Sequence, residues 1–196
     1  MTSQATLRQQ CRQRRRSLPP ELQQLHAQTA ARFILRSRTI MRARKVAVFL
    51  SEDGEMNTMP LIQALWQRKV NIYLPVLTRY NRRPMMFAPF TTKTKLEPKY
   101  FGIHEPQVGK HELIDGKHLD LVITPLACFD ASGNRIGMGG GYYDKTFQFK
   151  RYFKNASPKL IGWAHQCQEV KELQSQPWDV RLNGLVTEMQ FTLFNN

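Results

Sequence analysis

The chain has 196 residues, 41% of them hydrophobic and 10% aromatic, which is enough for one domain with a real core and too apolar for general disorder. No apolar run approaches the roughly 20 residues that span a bilayer. Three scattered cysteines (Cys11, Cys128, Cys167) with no C-x-x-C pair argue against a disulfide framework or zinc knuckle and suit a reducing, cytoplasmic setting.

Charge is the unusual quantity: 29 Lys and Arg stand against 15 Asp and Glu, a formal +14. Up to Lys45 there are eleven basic residues and one acid, Glu21. The excess could attract a nucleic acid, attract a small polyanion such as ATP, or simply coat solvated helix faces. An Arg-rich, acid-poor start also matches an organelle transit segment. No secretory signal is visible, so the sequon at Asn155-Ala156-Ser157 carries no weight.

In chain order, Thr6 to Ser17 predicts a polar, Arg-rich helix that Pro19-Pro20 interrupts. A second helix follows, with Leu22, Leu25, Thr29 and Phe33 as its buried stripe. Lys45 to Leu50 reads as a buried strand. Thr58 to Lys69 reads as a helix with Leu61, Ile62, Leu65 and Trp66 inward, and Val70 to Val76 as the next strand. A further strand is expected around Met85 to Phe87, then mostly loop from Thr91 to Lys117. Leu119 to Thr124 is a clear strand, Ala131 to Asn134 a turn, and a short helix follows the glycines. Leu160 to Trp163 and Gly184 to Thr187 are the last strands. The strand–helix–strand rhythm predicts an α/β fold with a largely parallel sheet in a single domain over 1–196.

The strongest motif runs from Arg135 to Asp144, with Gly137, Gly139, Gly140 and Gly141 at its centre. Bare backbone can approach a ligand closely, and consecutive N–H groups make a concave anion site. A helix starting near Tyr142 would add its own free N–H groups. Arg135 could fork phosphate oxygens, and Asp144 could hold magnesium, a hard cation that accompanies nucleotide phosphates. The spacing is neither a P-loop nor a dinucleotide fingerprint. A flexible turn followed by a solvated acid fits the same residues.

The stretch Gly133 to Asp144 resembles the signature of the 5-formyltetrahydrofolate cyclo-ligase (methenyltetrahydrofolate synthetase) family. Further likenesses follow in order: Leu7-Arg8 and Arg12 to Leu18, then Phe49 to Glu55, then Gly162 to Gln168, and Trp178-Asp179 with Leu185 to Thr187. The resemblance implies a three-layer α/β/α sandwich. It implies ATP-driven closure of 5-formyltetrahydrofolate to 5,10-methenyltetrahydrofolate, with magnesium, ATP and a folate that can carry several glutamates as ligands. It places Gln4, Arg8 and Arg12, with Arg135 and Gly137, Met138, Gly139, Gly140, Gly141, Tyr142 and Tyr143, at the nucleotide. Leu50 and Glu55, with Met138, Gly140 and Tyr142, fall at the folate; Arg135 and Tyr143 at the chemistry; Asp144 and Asp179 at the metal. Two departures stand out: Gln4 replaces the family's usual lysine, and Asn183 stands where an acid is common. The reading calls for no specific nucleic acid, no membrane and a monomer.

Several of these residues also fit simpler roles. Trp163 fits the core better than a pterin stack, and one of Tyr142 and Tyr143 should pack while the other faces ligand. At least one of Arg14, Arg15 and Arg16 should be solvated. Cys128 and Cys167 should be buried rather than reactive, and the five histidines show no metal-ligand spacing. Competing functions are a basic nucleic-acid module and a sugar-phosphate isomerase or CoA-transferase on a similar fold.

Overall fold

The computed structural model describes residues 3–77, 84–98, 104–153 and 155–194. Helix α1 (Gln4–Arg16) starts where Ser3 Oγ accepts the Thr6 N–H at 3.1 Å, an N-cap. Helix α2 (Pro20–Leu35) opens on a proline whose missing N–H costs nothing at the first position. A short α3 (Arg38–Met41) leads into β1 (Lys45–Ala47). Next come α4 (Met59–Gln67), β2 (Asn71–Val76) and β3 (Met86–Phe90). The stretch expected to be loop holds β4 (Leu96–Pro98), β5 (His104–Pro106) and β6 (Ile114–Asp115). The chain continues through β7 (Leu121–Thr124), β8 (Cys128–Phe129), β9 (Arg135–Ile136), α5 (Tyr142–Thr146), β10 (Lys159–Trp163), β11 (Gly184–Val186) and β12 (Phe191–Leu193).

The main sheet has eight strands in the order β12-β11-β10-β7-β1-β2-β3-β6. Neighbours from β11 to β2 are parallel, and β12, β3 and β6 pair antiparallel at the edges. Successive residues alternate between two cores. Val46, Leu121, Ile123, Ile161, Trp163 and Val186 join one, while Ala47, Val122, Leu160 and Leu185 join the other. A central parallel strand buried on both faces must be apolar throughout, which is why these runs read as unbroken hydrophobic segments.

The first core is closed by α2 and α4. The second is closed by α5, the following turn with Phe147, and aromatic residues Phe87 and Phe129. The architecture is thus the expected three-layer α/β sandwich, with a thin second helical layer. Strand β1 continues through α4 to β2 on one side, whereas β7 leads to β10 and β11 on the other. The chain therefore diverges between β1 and β7, the kind of switch point beyond whose carboxyl ends ligands gather in open parallel sheets.

One expected stripe is displaced. Leu22 and Leu25 are exposed, and α2 packs instead through Ala27, Ala30, Ala31 and Ile34. That set also has helical spacing, but the small side chains bring the helix close to the sheet, so leucine size was a misleading guide. Among the described residues no helix is long and apolar enough to cross a membrane.

Candidate active site

Three segments meet at the carboxyl ends of β1, β7 and β10, which are neighbours in the sheet. After β1 comes a loop carrying Leu50, Asp53, Gly54 and Glu55. After β7 comes the β8–β9 hairpin, and directly beyond it the glycine run. After β10 comes the turn at Gln166–Gln168. Helix α1 lies across this end, against β8 and that turn.

The glycine run is shaped as its composition demands. Gly139 has φ of 108° and Gly141 a φ of 65°, conformations that side-chain-bearing residues avoid. Helix α5 is only five residues long, so it adds little dipole of its own at this end of the loop. The loop bounds a cavity of about 410 Å³ that Gln4, Arg8, Arg135, Gly137, Gly139, Gly140, Gly141, Asp144 and Asp179 all line. Arg8 Nε donates to Gly137 O at 2.8 Å, tying α1 to the loop, and Gln4 Nε2 donates to Gln174 O at 3.4 Å.

Arg135 is almost wholly buried. Its guanidinium donates to Asp144 Oδ1 at 2.8 Å and to the carbonyl of Val180. Its fork, expected to reach phosphate, faces a carboxylate and a carbonyl here. Asp144 Oδ1 also accepts the Val180 N–H at 3.0 Å. Asp179 Oδ2 accepts the Gln176 N–H at 2.8 Å, and burial, then the charge of Asp144, push its carboxyl above the usual range.

Of the folate-assigned residues, Leu50 is half-buried against the first core. Glu55 is pushed up to about 7, chiefly by burial; Arg15, 3.6 Å away, and the Glu52 N–H at 3.2 Å oppose this. Met138 is exposed. Tyr142 and Tyr143 both pack against the second core, so the expected division into one packed and one ligand-facing ring is not drawn by burial. Burial, then the nearby charge of Glu55, pushes the Tyr143 hydroxyl up, and Arg135 opposes it.

Arg12, expected at the nucleotide, is not among the residues lining the cavity and pairs with Asp53 Oδ2 at 2.8 Å. Arg15 is fully buried, while Arg14 and Arg16 are exposed, in line with the expectation that not all three face a ligand. Sequence reasoning gave no role to Asp53. It also missed Lys145, Gln148 and Arg151, which line the same cavity, and gave Trp178, another lining residue, no role beyond the family likeness. Trp178, 61% exposed at the rim, was signalled by its neighbour Asp179.

A family model for 5-formyltetrahydrofolate cyclo-ligases matches residues 1–188. The chain belongs to this family. It is 41% identical over 176 residues to the 5-formyltetrahydrofolate cyclo-ligase of Escherichia coli strain K12, covering 90% of this chain and 95% of that protein. It is 40% identical over 141 residues to the enzyme of the same name from Haemophilus influenzae, covering 72% and 74%. The solved Aquifex aeolicus 5,10-methenyltetrahydrofolate synthetase superposes with a TM-score of 0.81 at 24% identity, covering 98% of this chain and 93% of that one. The likeness to that structure establishes the fold. The family membership makes the chain a ligase of folate metabolism.

Within this cyclo-ligase, several residues prove structural. Trp163 is buried and donates to Met56 O at 3.1 Å, as the core reading expected. Asn183 Oδ1 accepts the Leu160 N–H at 2.9 Å, binding the chain ahead of β11 to β10. Cys128 is buried as expected, whereas Cys167 is only half-buried. The histidines hold a surprise: His26 and His165 approach through Nδ1 atoms 2.9 Å apart, with Glu188 Oε1 3.4 Å from His26 Nδ1. Two nitrogens on one tetrahedral ion would stand about 3.3 Å apart, so 2.9 Å marks a hydrogen bond, and burial pushes His165 down to about 4, keeping it neutral.

The magnesium implied by the family fits the acidic edge of the cavity. Two carboxylates line one wall, Asp144 helps raise Asp179, and each is hydrogen-bonded through only one oxygen among the described residues. Carboxylate oxygens are the donors that a small hard cation takes.

Proposed function

We propose that this cyclo-ligase converts 5-formyltetrahydrofolate to 5,10-methenyltetrahydrofolate, with ATP consumed and ADP and phosphate released. One observation carries the reading: a single cavity gathers the bare glycine run, Arg8, and the Asp144–Asp179 pair, the components of a nucleotide-phosphate site.

A formamide is a poor electrophile because its nitrogen donates into the carbonyl. Transfer of the γ-phosphoryl group to the formyl oxygen turns that oxygen into a phosphate leaving group. N10 then attacks the formyl carbon and gives up its proton to solvent or to the departing phosphate, the C–O bond breaks, and phosphate leaves as the ring closes. The protein's task is alignment and stabilisation of spread negative charge, and good alignment can supply about 7–11 kcal/mol. No protein nucleophile is required.

Gln4, Arg8 and the N–H groups of Gly137, Gly139, Gly140 and Gly141 hold the phosphates, with the exposed face of Trp178 as a platform for the base. Asp144 and Asp179 would hold Mg2+, which supplies charge neutralisation on the phosphates when bound. Arg135 fixes Asp144 and keeps positive charge beside the transferring group. Leu50, Glu55, Met138 and Tyr142 bound the folate. Glu55, poised near neutrality, can accept or donate a hydrogen bond to the pterin. Tyr143 stays a phenol and donates towards developing negative charge. Gln4 contributes no charge where the family usually has lysine, so Arg8 is left as the main cation of α1 at the cavity.

Purified protein mixed with 5-formyltetrahydrofolate, ATP and magnesium should generate the methenyl product's absorbance, and chelation by EDTA should stop it. Absence of product with all three present would reject the proposal.

A further inference from the structure

We propose that Asp53 is a positioning residue through which helix α1 couples nucleotide binding to folate binding. This rests on the function proposed above. The helix touches both ligand loops with one face. Arg8, Arg12, Arg15 and Arg16 follow at intervals that put them on one side of a helix. Arg8 holds Gly137 O of the nucleotide loop at 2.8 Å, and the other three converge on the β1 loop that carries Glu55.

Asp53 receives all of them. Its Oδ2 accepts from Arg12 Nε at 2.8 Å and from Arg15 Nη2 at 3.0 Å, and its Oδ1 accepts from Arg16. Arg15, fully buried, also donates to Asp53 O at 2.9 Å and to Leu126 O at 3.2 Å, and lies 3.6 Å from Glu55. The backbone is fitted to this contact. Asp53 and Gly54 have φ of 55° and 71°, and a Cβ on Gly54 would come 3.2 Å from Arg16 Cα and 3.3 Å from Arg15 O. The turn is thus seated on the last turn of α1.

An isolated surface ion pair is worth little. This one is different in kind, because one carboxylate gathers three guanidiniums, one of them buried, at a left-handed turn. A ligand that draws in the Arg8 end of α1 displaces the Asp53 end of the same rigid rod, and Glu55 two residues on moves with it.

The test is calorimetric binding of 5-formyltetrahydrofolate with and without a non-hydrolysable ATP analogue and magnesium. In the unaltered enzyme the nucleotide should tighten folate binding by about 5–150-fold, and folate should tighten nucleotide binding by the same factor. Asp53→Asn keeps the shape, and asparagine tolerates positive φ. In that variant the factor should fall to within about 2-fold of unity, a change that a merely structural role would not produce. Arg16→Gln, on an exposed side chain, should give an intermediate factor and decides the matter if the first variant does not fold. A wild-type factor of one, or a factor unchanged by both substitutions, overturns the coupling while leaving the function standing. Failure of the unaltered enzyme to bind folate at all overturns the function, and the coupling with it.

Discussion

Asp144 carries two duties, and they set what a substitution there can report. Its Oδ1 closes an ion pair on buried Arg135 and accepts the Val180 N–H, and the function proposed above gives the same carboxylate a cation to hold. Asp144→Ala would strand Arg135, and breaking a buried pair this way costs about 3–5 kcal/mol, so lost activity would be mixed with lost stability. Asp144→Asn keeps a hydrogen-bond acceptor for Arg135 and Val180. It should stay folded by circular dichroism while kcat falls by at least about 100-fold.

Glu55 gives a second measurement at this scale. Its carboxyl rises from an ordinary value of 4.5 to about 7 in the folded protein, with burial the main cause. The folded state then holds the proton more tightly than the unfolded chain. Its stabilising contribution is full below pH 4.5 and lost as pH rises through 7. Urea melts at acid and neutral pH should show this decline, and Glu55→Gln should flatten it. An unchanged slope in the variant would remove Glu55 as its source.

Among the elements, α2 shows how packing chooses between two stripes on one helix. Leu22 and Leu25 lie near its start, exposed, whereas Ala27, Ala30, Ala31 and Ile34 lie against the sheet. Ile34→Ala should cost about 2–5 kcal/mol in chemical denaturation, and Leu25→Ala less than about 0.5 kcal/mol. A larger loss at Leu25 would contradict the packing described. The glycine run makes the complementary point. Gly139 has open space around a hypothetical Cβ, yet its φ of 108° excludes a side chain on conformational grounds. Gly139→Ala should therefore raise the KM for ATP and also cost about 1 kcal/mol or more in chemical denaturation.

Over the whole molecule, the formal +14 acts at long range. The proposed substrates, ATP and a folate, are anions, which a net positive enzyme would steer inward. Raising ionic strength from about 0.1 M to about 1 M shortens the screening length from about 10 Å to about 3 Å. Values of kcat/KM should fall steeply over that interval while kcat changes little. Insensitivity to salt would mean that only the local cradle matters.

Periodicity and composition alone determined the α/β class, the central strands and the glycine run. A strand buried on both faces has to be uniformly apolar, and a run of left-handed or close-approach backbone favours glycine, so both leave marks in any one-dimensional reading. The short hairpin pairs β4–β5 and β8–β9 left no such mark, because two or three residues carry no period. The resemblance located Arg8, Asp144 and Asp179, and the fold brings these to one cavity. Only the tertiary structure decided which partner each arginine takes. Arg12, Arg15 and Arg16 are identical letters on one helix, yet they gather on Asp53, some 37 to 41 residues away in sequence. Contacts of that kind are set by where β1 ends and α1 lies, geometry that no local pattern encodes.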